Sequence, residues 1–310
     1  MNFYFSSLFP HTLEAQYLQT KPNGCVLLSQ LNDRTHISNW IEKNKQSENK
    51  VKLFIDSGAY TCWTKNTCVD IDEYITYLNS ISDYVECYAS LDVIPGNSTN
   101  SQLPTVEESE AASKASWENF LYMRDRVKHP DKLIYIYHIG ENQQYLRNAL
   151  SYKDKFGTIK YLGLGGLVRK TDDDVEKFLT DSFDIISKSE NPDIQVHTFG
   201  MTRFKVLKRF PIYSTDSTSY IQQGAFGTVM FSNTIIPVSD NSALDDRNIL
   251  NRNPAIMEQL EKELKRRGFT LEELQTSRDK RVCFNCISYY EAAQEYKYEP
   301  PQRVTEECLW

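Results

Sequence analysis

Hydrophobic residues recur along the chain in short runs that are rich in β-branched and aromatic side chains. Apolar runs of roughly four to eight residues, bounded by turn-forming or polar residues, are typical of buried β-strands. Each of these runs is followed by a helical or turn-rich stretch. Eight runs have this character: residues 25–28, 51–55, 85–91, 133–137, 159–164, 194–198, 211–214 and 228–231.

The segments between several of the runs have apolar residues spaced three and four apart. Such spacing predicts helices over Ile71–Ile81 and over 175–186, and a shorter amphipathic helix over 202–210. Strands that alternate with helices form parallel sheets, and eight units of this kind favour closure into a (β/α)8 TIM barrel. A doubly wound open sheet is the main alternative.

The chain changes character after the eighth run. Residues 233–253 are rich in Asn, Asp, Ser and Pro, which indicates a long loop, and a helix is predicted from Pro254 to Arg267 with Gly268 as its C-terminal cap. We therefore predict a barrel domain over 1–235 and a short loop and helical C-terminal extension over 236–310.

Composition indicates an ordinary soluble protein. Hydrophobic residues make up 40% and charged residues 25% of the chain, and no apolar run approaches the roughly 20 residues of a membrane span. The seven cysteines are scattered, which suits a reducing cytoplasm better than a disulfide framework. The net charge of −7 indicates that any nucleic acid is bound along a local groove.

Candidate chemistry lies at the predicted strand ends, which form the open face of a barrel. Three carboxylates, Asp56, Asp92 and Asp216, follow separate runs. An Asp at a strand end is by itself more often a helix N-cap, and a Gly-Gly pair is more often a tight turn. The ordered set is more specific than its members. The other polar, glycine or aromatic residues near these ends are Ser57, Tyr60, His138, Gly165, Gly166, Leu167 and Phe199.

From 53 to 231 the order of these residues resembles the tRNA-guanine transglycosylases (queuine tRNA-ribosyltransferases). Asp56-Ser57-Gly58-Ala59-Tyr60 resembles the family's Asp-Ser-Gly-Gly-aromatic motif, with Ala59 replacing the second glycine. Gly165-Gly166-Leu167 matches its Gly-Gly-Leu turn. The segment 197–200 resembles its His-x-Met-Gly, which places Phe199 where a methionine usually packs on the base. Asp216 matches the nucleophilic aspartate.

The resemblance implies a role for each residue. Asp216 is the nucleophile that captures C1′ of the sugar, and Asp56 moves a proton as one base leaves and another enters; two carboxylates in one pocket tend to separate in pKa. Asp92 matches the family's base-reading aspartate, which accepts hydrogen bonds from a guanine-like base. Tyr60 and Phe199 are expected to stack on the two faces of that base. His138 stands where the family has a base-reading glutamine, and ordinary packing remains the alternative for the histidine and both aromatics. Ser57 and the backbone of residues 165–167 complete the predicted base site. No cofactor is implied.

The family's structural zinc site is largely missing. Cys283 and Cys286 preserve one CxxC pair, but Arg281 stands at the first ligand position and no histidine follows. Even with Cys308, a fourth ligand is lacking, and a closed structural zinc site needs four. We therefore expect no bound zinc and treat these cysteines as weak metal candidates.

The departures bear on the substrate polymer. Ser217-Thr218-Ser219 replaces the family's Pro-Thr-Arg after the nucleophile. Losing this segment and the zinc site favours the divergent branch that inserts 7-deazaguanine bases into DNA, with tRNA as the alternative. A homodimer is possible, and no membrane partner is expected. Six basic residues are candidates for binding phosphates: Arg169, Lys170, Arg203, Lys205, Lys208 and Arg209. The alternative interpretation is that they belong to a solvated helix face.

Two other classes of protein fit the same residues. One is a barrel N-glycoside hydrolase, which would use the same aspartate with water as acceptor. The other is a non-catalytic partner subunit, which the retention of both Asp56 and Asp216 disfavours.

Overall fold

A computed structural model describes residues 1–96, 104–168, 170–240, 248 and 254–300. Its centre is a closed barrel of eight parallel strands, in which the last strand pairs with the first. The predicted (β/α)8 TIM barrel is therefore confirmed. In chain order the barrel strands are β1 (Asn2–Ser6), β2 (Cys25–Ser29), β3 (Lys52–Asp56), β4 (Cys87–Ala89), β5 (Leu133–His138), β8 (Tyr161–Gly165), β9 (Gln195–Thr198) and β10 (Ser214–Ser217), with a small hairpin, β6 (Lys153–Asp154) and β7 (Gly157–Thr158), between β5 and β8.

The first and last barrel strands differ from the prediction. The N-terminal strand β1 was not predicted, and it lies between β2 and β10 with Tyr4 opposite both Cys25 and Asp216. The predicted eighth strand is wrong, because β11 (Thr228–Phe231) pairs with β12 (Thr234–Pro237) in an antiparallel hairpin outside the barrel. The tight turn of this hairpin holds Ser232 and Asn233 at positive φ. β11 therefore pairs with β12, its neighbour in sequence, and not with a distant barrel strand.

Helices cover the outside of the barrel. The predicted helix Ile71–Ile81 is confirmed as α4, 175–186 lies within α7, and 202–210 is reduced to the single turn α8. Thr105 and Thr171 begin α5 and α7 with capping boxes, in which the threonine hydroxyl and an acidic third residue satisfy exposed backbone groups. The helices that accompany the barrel strands are α1 (Leu13–Gln19), α2 (Arg34–Lys45), α3 (Ala59–Lys65), α4 (Ile71–Ile81), α5 (Val106–Arg124), α6 (Gln143–Ser151), α7 (Asp172–Ser187), α8 (Phe204–Leu207) and α9 (Ser219–Ala225).

Between 254 and 300, which the structure describes, three further helices follow the hairpin: α10 (Pro254–Arg267), α11 (Leu271–Thr276) and α12 (Arg278–Gln294). The predicted helix at 254–267 is confirmed, and Gly268 follows it at φ +76°. Strand β12 lies within the predicted loop 233–253, of which only 233–240 and 248 are described. The predicted domain boundary at 235 falls inside β12. None of the helices in these described ranges is long and apolar enough to cross a membrane.

Helix α12 packs on the barrel itself, against β1, α1 and α9. The ring of Tyr289 stacks on Phe3 of β1, with the centroids 5.4 Å apart. The N-terminal amine donates to the carbonyl of Tyr296, just beyond α12. The C-terminal segment therefore completes the outer layer beside the first strand.

The alternation of side chains along each strand sets the two faces of the barrel. Inward-facing residues include Tyr4, Leu27, Phe54 and Ile136, which form one apolar cluster inside the barrel. Two residues further along β1, β3 and β5, the inward positions become polar, and they meet at the carboxyl ends of the strands. The apolar interior therefore supports a polar layer on top.

Asn285 links α12 to its neighbours and generates a prediction on stability. Its side chain is fully buried, accepts from the Met230 amide at 2.7 Å, and donates to the carbonyls of Tyr220 and Thr228. Asn285→Ala removes these three buried hydrogen bonds, so we expect a loss of about 3 kcal/mol in the free energy of unfolding. Urea denaturation measures it. The control Asn49→Ala, at an exposed position, should change stability little, and equal stability of the two variants would contradict this role.

Candidate active site

The predicted site residues from β3, β5 and β10 meet at the carboxyl ends of the barrel strands. Asp56 ends β3, His138 ends β5 and Asp216 lies near the end of β10. Asp92 and Phe199 come just after β4 and β9. Because all eight strands are parallel and the barrel is closed, these ends share one face.

Asp216 is buried and surrounded by hydrogen-bond donors. The Ser6 hydroxyl donates to its Oδ2 at 2.6 Å, and the Gly200 amide donates to Oδ1 at 2.8 Å. The Nε2 of His197 lies 3.2 Å from the same Oδ1, and since an ionised carboxylate only accepts, this nitrogen is the donor. Three donors stabilise the anion and fix its orientation. Oδ2, with one donor, keeps a lone pair that is free to attack.

A glycine is required at position 200. The residue has a φ of +68°, and a Cβ there would lie 2.6 Å from the side chain of Val168. This backbone conformation turns the amide toward Asp216. The glycine of the His-x-Met-Gly-like segment therefore supplies a hydrogen bond to the carboxylate.

Asp56 is a partly buried carboxylate of different character. Its Oδ2 accepts a hydrogen bond from the amide of Gly58, which has a φ of +87° and immediately precedes α3. Burial, and then the charges of Asp92 and Asp216, raise the pKa of Asp56 from its ordinary value of 3.8 to about 7. A carboxyl group with this pKa donates and accepts a proton at neutral pH.

Asp92 is buried and held from two sides. The Ser57 hydroxyl donates to Oδ1 at 3.2 Å, and the Nε2 of His138 lies 3.1 Å from Oδ2. Ser57 is itself fully buried and its oxygen accepts from the Ala59 amide. Each oxygen of Asp92 retains a lone pair for a ligand.

His138 is bonded through both ring nitrogens, since Nδ1 lies 2.9 Å from Oε1 of the buried Glu141. Burial by itself lowers the pKa of His138, but its hydrogen bonds to Asp92 and Glu141 outweigh this effect and raise the pKa to about 10. The ring is therefore a cation at neutral pH. It has no free N–H for a base, so any effect of His138 on a ligand passes through Asp92.

The glycines of β8 make room for these side chains. A Cβ at Gly165 would lie 2.6 Å from the His138 ring, and one at Gly163 would lie 2.6 Å from the Phe199 ring. Gly166 is exposed at φ +75°, whereas the Leu167 side chain is buried in the outer hydrophobic core. The glycines have no side chains and the Leu167 side chain is buried, so the Gly-Gly-Leu turn can contact a ligand only through its backbone.

The two predicted stacking residues differ in their surroundings. Phe199 joins the inner apolar cluster and packs edge-on against His197, with the centroids 4.4 Å apart. Tyr60 lies on α3, 55% exposed, with Trp63 as its ring neighbour at 5.9 Å. Phe199 is therefore held rigidly, while Tyr60 is free to reorient.

Four residues of the site were not predicted as functional: Ser6, Glu141, His197 and Gly200. Ser6 lies on the strand that the hydrophobic pattern missed. Glu141 carries a weak signal, because it follows His138 by three residues at a strand end. His197 and Gly200 belong to the segment that resembles the family, where only Phe199 was assigned a role.

The CxxC pair lies in the core. Cys283 and Cys286 are buried on α12, and burial raises the pKa of Cys283 to about 12 and that of Cys286 well above its usual range. Arg281, at the expected ligand position, donates to the carbonyls of Gly224 and Leu274. Cys308 lies outside the described residues. Within them no group of three or more His, Cys, Asp or Glu is placed to hold a metal ion, and the lack of zinc stays a prediction.

Comparison with known proteins adds no relative. No protein-family model matches the chain, and no curated protein matches it. The resemblance to the guanine transglycosylases therefore depends on the residues described above.

The raised pKa of Asp56 predicts a pH dependence of stability. In the unfolded chain this group ionises near 3.8, but in the folded protein it stays protonated to about pH 7. Its contribution to stability is therefore complete below about pH 4 and is lost as the pH rises through about 7. Urea unfolding across this range should show the stability of the native chain, relative to Asp56→Asn, falling with pH. A constant difference would contradict the raised pKa.

Proposed function

We propose that the chain is a base-exchange glycosyltransferase, which replaces guanine in a nucleic acid with a 7-deazaguanine base. The observation that carries the proposal is the pairing of two unlike carboxylates at one face. Asp216 accepts hydrogen bonds from three donors, and Asp56 has a pKa near neutrality. Nucleophilic displacement at a glycosidic carbon needs one carboxylate of each kind.

In the first half-reaction, Oδ2 of Asp216 attacks C1′ of the target nucleotide. The C1′–N9 bond breaks, its electron pair passes to the departing guanine, and protonated Asp56 supplies the proton. The product is a covalent ester between the sugar and Asp216, formed through an oxocarbenium-like transition state. The nucleotide must first leave the base stack, since C1′ is not accessible within a duplex.

The second half-reaction reverses these roles. The incoming base attacks C1′ through N9, its N9 proton passes to Asp56, and the bond to Oδ2 of Asp216 breaks. The donors from Ser6, Gly200 and His197 stabilise the carboxylate as it leaves. Asp56 ends protonated, as it began, so a cycle consumes no proton.

Asp92 supports guanine-type bases as the substrates. Its two oxygens accept from Ser57 and His138, and each has a lone pair left. Asp92 is paired with the cationic His138, and the lone pairs that remain on its oxygens are hydrogen-bond acceptors. This suits the adjacent N–H groups of a guanine or 7-deazaguanine edge, and disfavours a base that presents an acceptor there.

DNA is the proposed polymer, and the cations near the site are few. Arg203 pairs with Asp172 and Arg209 with Glu176, while Lys208 pairs with Glu295 near the N-terminus of β1, at the opposite end of the barrel. Arg169 lies outside the described residues. Lys170 and Lys205 have no ion pair in the described parts of the chain, and they follow β8 and β9, so they are the best phosphate ligands among the five cations that the structure describes.

Loss of the nucleophile should abolish exchange. Asp216→Asn replaces the attacking carboxylate by an amide, which is a poor nucleophile, so we expect labelled guanine to enter the nucleic acid at least about 10³-fold more slowly. The exposed Asp193→Asn serves as a control and should keep the native rate. Near-native exchange by Asp216→Asn, in protein whose thermal unfolding is unchanged, would exclude it as the nucleophile.

The choice of polymer is tested by label uptake. With labelled guanine or a 7-deazaguanine, and DNA and tRNA in separate reactions, we expect label in DNA. Lys170→Ala and Lys205→Ala should weaken DNA binding for every sequence and each lower the salt dependence by about one phosphate contact, whereas Lys208→Ala should not. Label in tRNA alone would return the protein to the tRNA-modifying branch, and release of free base without uptake would indicate a hydrolase.

A further inference from the structure

Behind His197, the donor to Asp216, lie two buried hydroxyl groups that the proposed chemistry does not use. The Nδ1 of His197 lies 2.6 Å from the Ser214 hydroxyl, and this hydroxyl is hydrogen-bonded to the Tyr161 hydroxyl. Ser214 and His197 are fully buried, and Tyr161 is 6% exposed. The three side chains come from adjacent strands, β8, β9 and β10, and point into the barrel.

The protons along this line of hydrogen bonds have one arrangement that satisfies every group. Asp216 accepts, so Nε2 of His197 carries a proton. In the neutral ring Nδ1 is then an acceptor, the Ser214 hydroxyl donates to it, and the Tyr161 hydroxyl donates to Ser214. With the opposite polarity, the ring becomes a cation and the Tyr161 proton has no acceptor among the described residues. Burial also raises the pKa of Tyr161 well above its usual range, which keeps it a donor.

We propose that Tyr161 and Ser214 are positioning residues, which fix the Nε2–H tautomer of His197 and so direct its hydrogen bond at the nucleophile Asp216. The inference rests on the proposed function for its catalytic meaning, but the tautomer itself does not. Aromatic rings leave His197 little freedom to turn, since Phe54 and Phe199 contact it edge-on with centroids 4.9 and 4.4 Å away. The rings thus fix the plane of the imidazole, and the hydroxyl line fixes its protons.

The chain also accounts for polar residues deep inside the barrel. Burying a serine, a histidine and a tyrosine is unfavourable unless each is hydrogen-bonded, and here each satisfies the next. A purely structural network would have no need to end on the carboxylate at the open face. Its end point and its single consistent polarity indicate a role in orienting Asp216.

The test reads the tautomer and the kinetics separately. Side-chain ¹⁵N NMR of the full chain, with His197→Gln to identify its signal among the five histidines, should show His197 protonated at Nε2 and unprotonated at Nδ1. In Tyr161→Phe, the Nδ1 resonance should shift and kcat for base exchange should fall about tenfold with KM for the nucleic acid unchanged. Tyr213→Phe is the matched control, because its ring packs 5.5 Å from that of Tyr161 but no hydrogen bond joins it to the line, and it should change neither.

Protonation of Nδ1 in the native chain would overturn the inference. So would native kcat in Tyr161→Phe together with an unshifted Nδ1 resonance. If Tyr161→Phe does not fold, Ser214→Ala provides the same two measurements, and the spectrum of the native chain still decides the tautomer. If the native chain exchanges no base at all, the proposed function fails, while the NMR result alone decides whether the line of hydrogen bonds exists as described.

Discussion

Three aspartates lie together at the carboxyl end of a closed barrel, largely removed from water. A buried anion is unfavourable unless it is paired, hydrogen-bonded or neutralised, and neighbouring anions raise the cost of each. The protein uses all three solutions. Asp216 is hydrogen-bonded to three donors, Asp92 is paired with the cationic His138, and Asp56 takes up a proton because its pKa rises to about 7. The proposed nucleophile, base receptor and proton carrier follow from these three environments.

The closed barrel is what makes these environments possible. Ser6 reaches Asp216 only because β1 closes the sheet against β10. Strand β1 in turn is covered by α12, whose Tyr289 stacks on Phe3. The C-terminal helix thus contributes to the site indirectly, and its cysteines Cys283 and Cys286 are buried in the same layer.

The hydrophobic pattern predicts six of the barrel strands, because each is an apolar run between turn-forming segments. The seventh predicted run, 211–214, overlaps β10 only at Ser214, because β10 consists of the polar residues Ser214–Ser217. The pattern does not predict closure through β1, since the pairing of Tyr4 with Asp216 is between residues far apart in sequence. Nor does it separate β11 from a barrel strand, because the two have the same local composition and only the partner differs. For the same reason the carboxylates were predicted from their places at strand ends, whereas Ser6 and the Tyr161–Ser214–His197 line, which depend on contacts across the barrel, were not.

The central claim is that Asp216 forms a covalent bond to the sugar during base exchange. In Asp56→Asn the nucleophile is intact but the proton carrier is lost, so both half-reactions slow. When no incoming base is added, the covalent intermediate that forms has no added acceptor and accumulates. Intact-mass measurement of this variant, denatured rapidly after mixing with a guanine-containing oligonucleotide, should show one added nucleic-acid strand less one guanine, and peptide mapping should place it on Asp216. The doubly substituted Asp56→Asn, Asp216→Asn chain should show none. An adduct that persists in the double variant, or one that maps to another residue, would contradict the account.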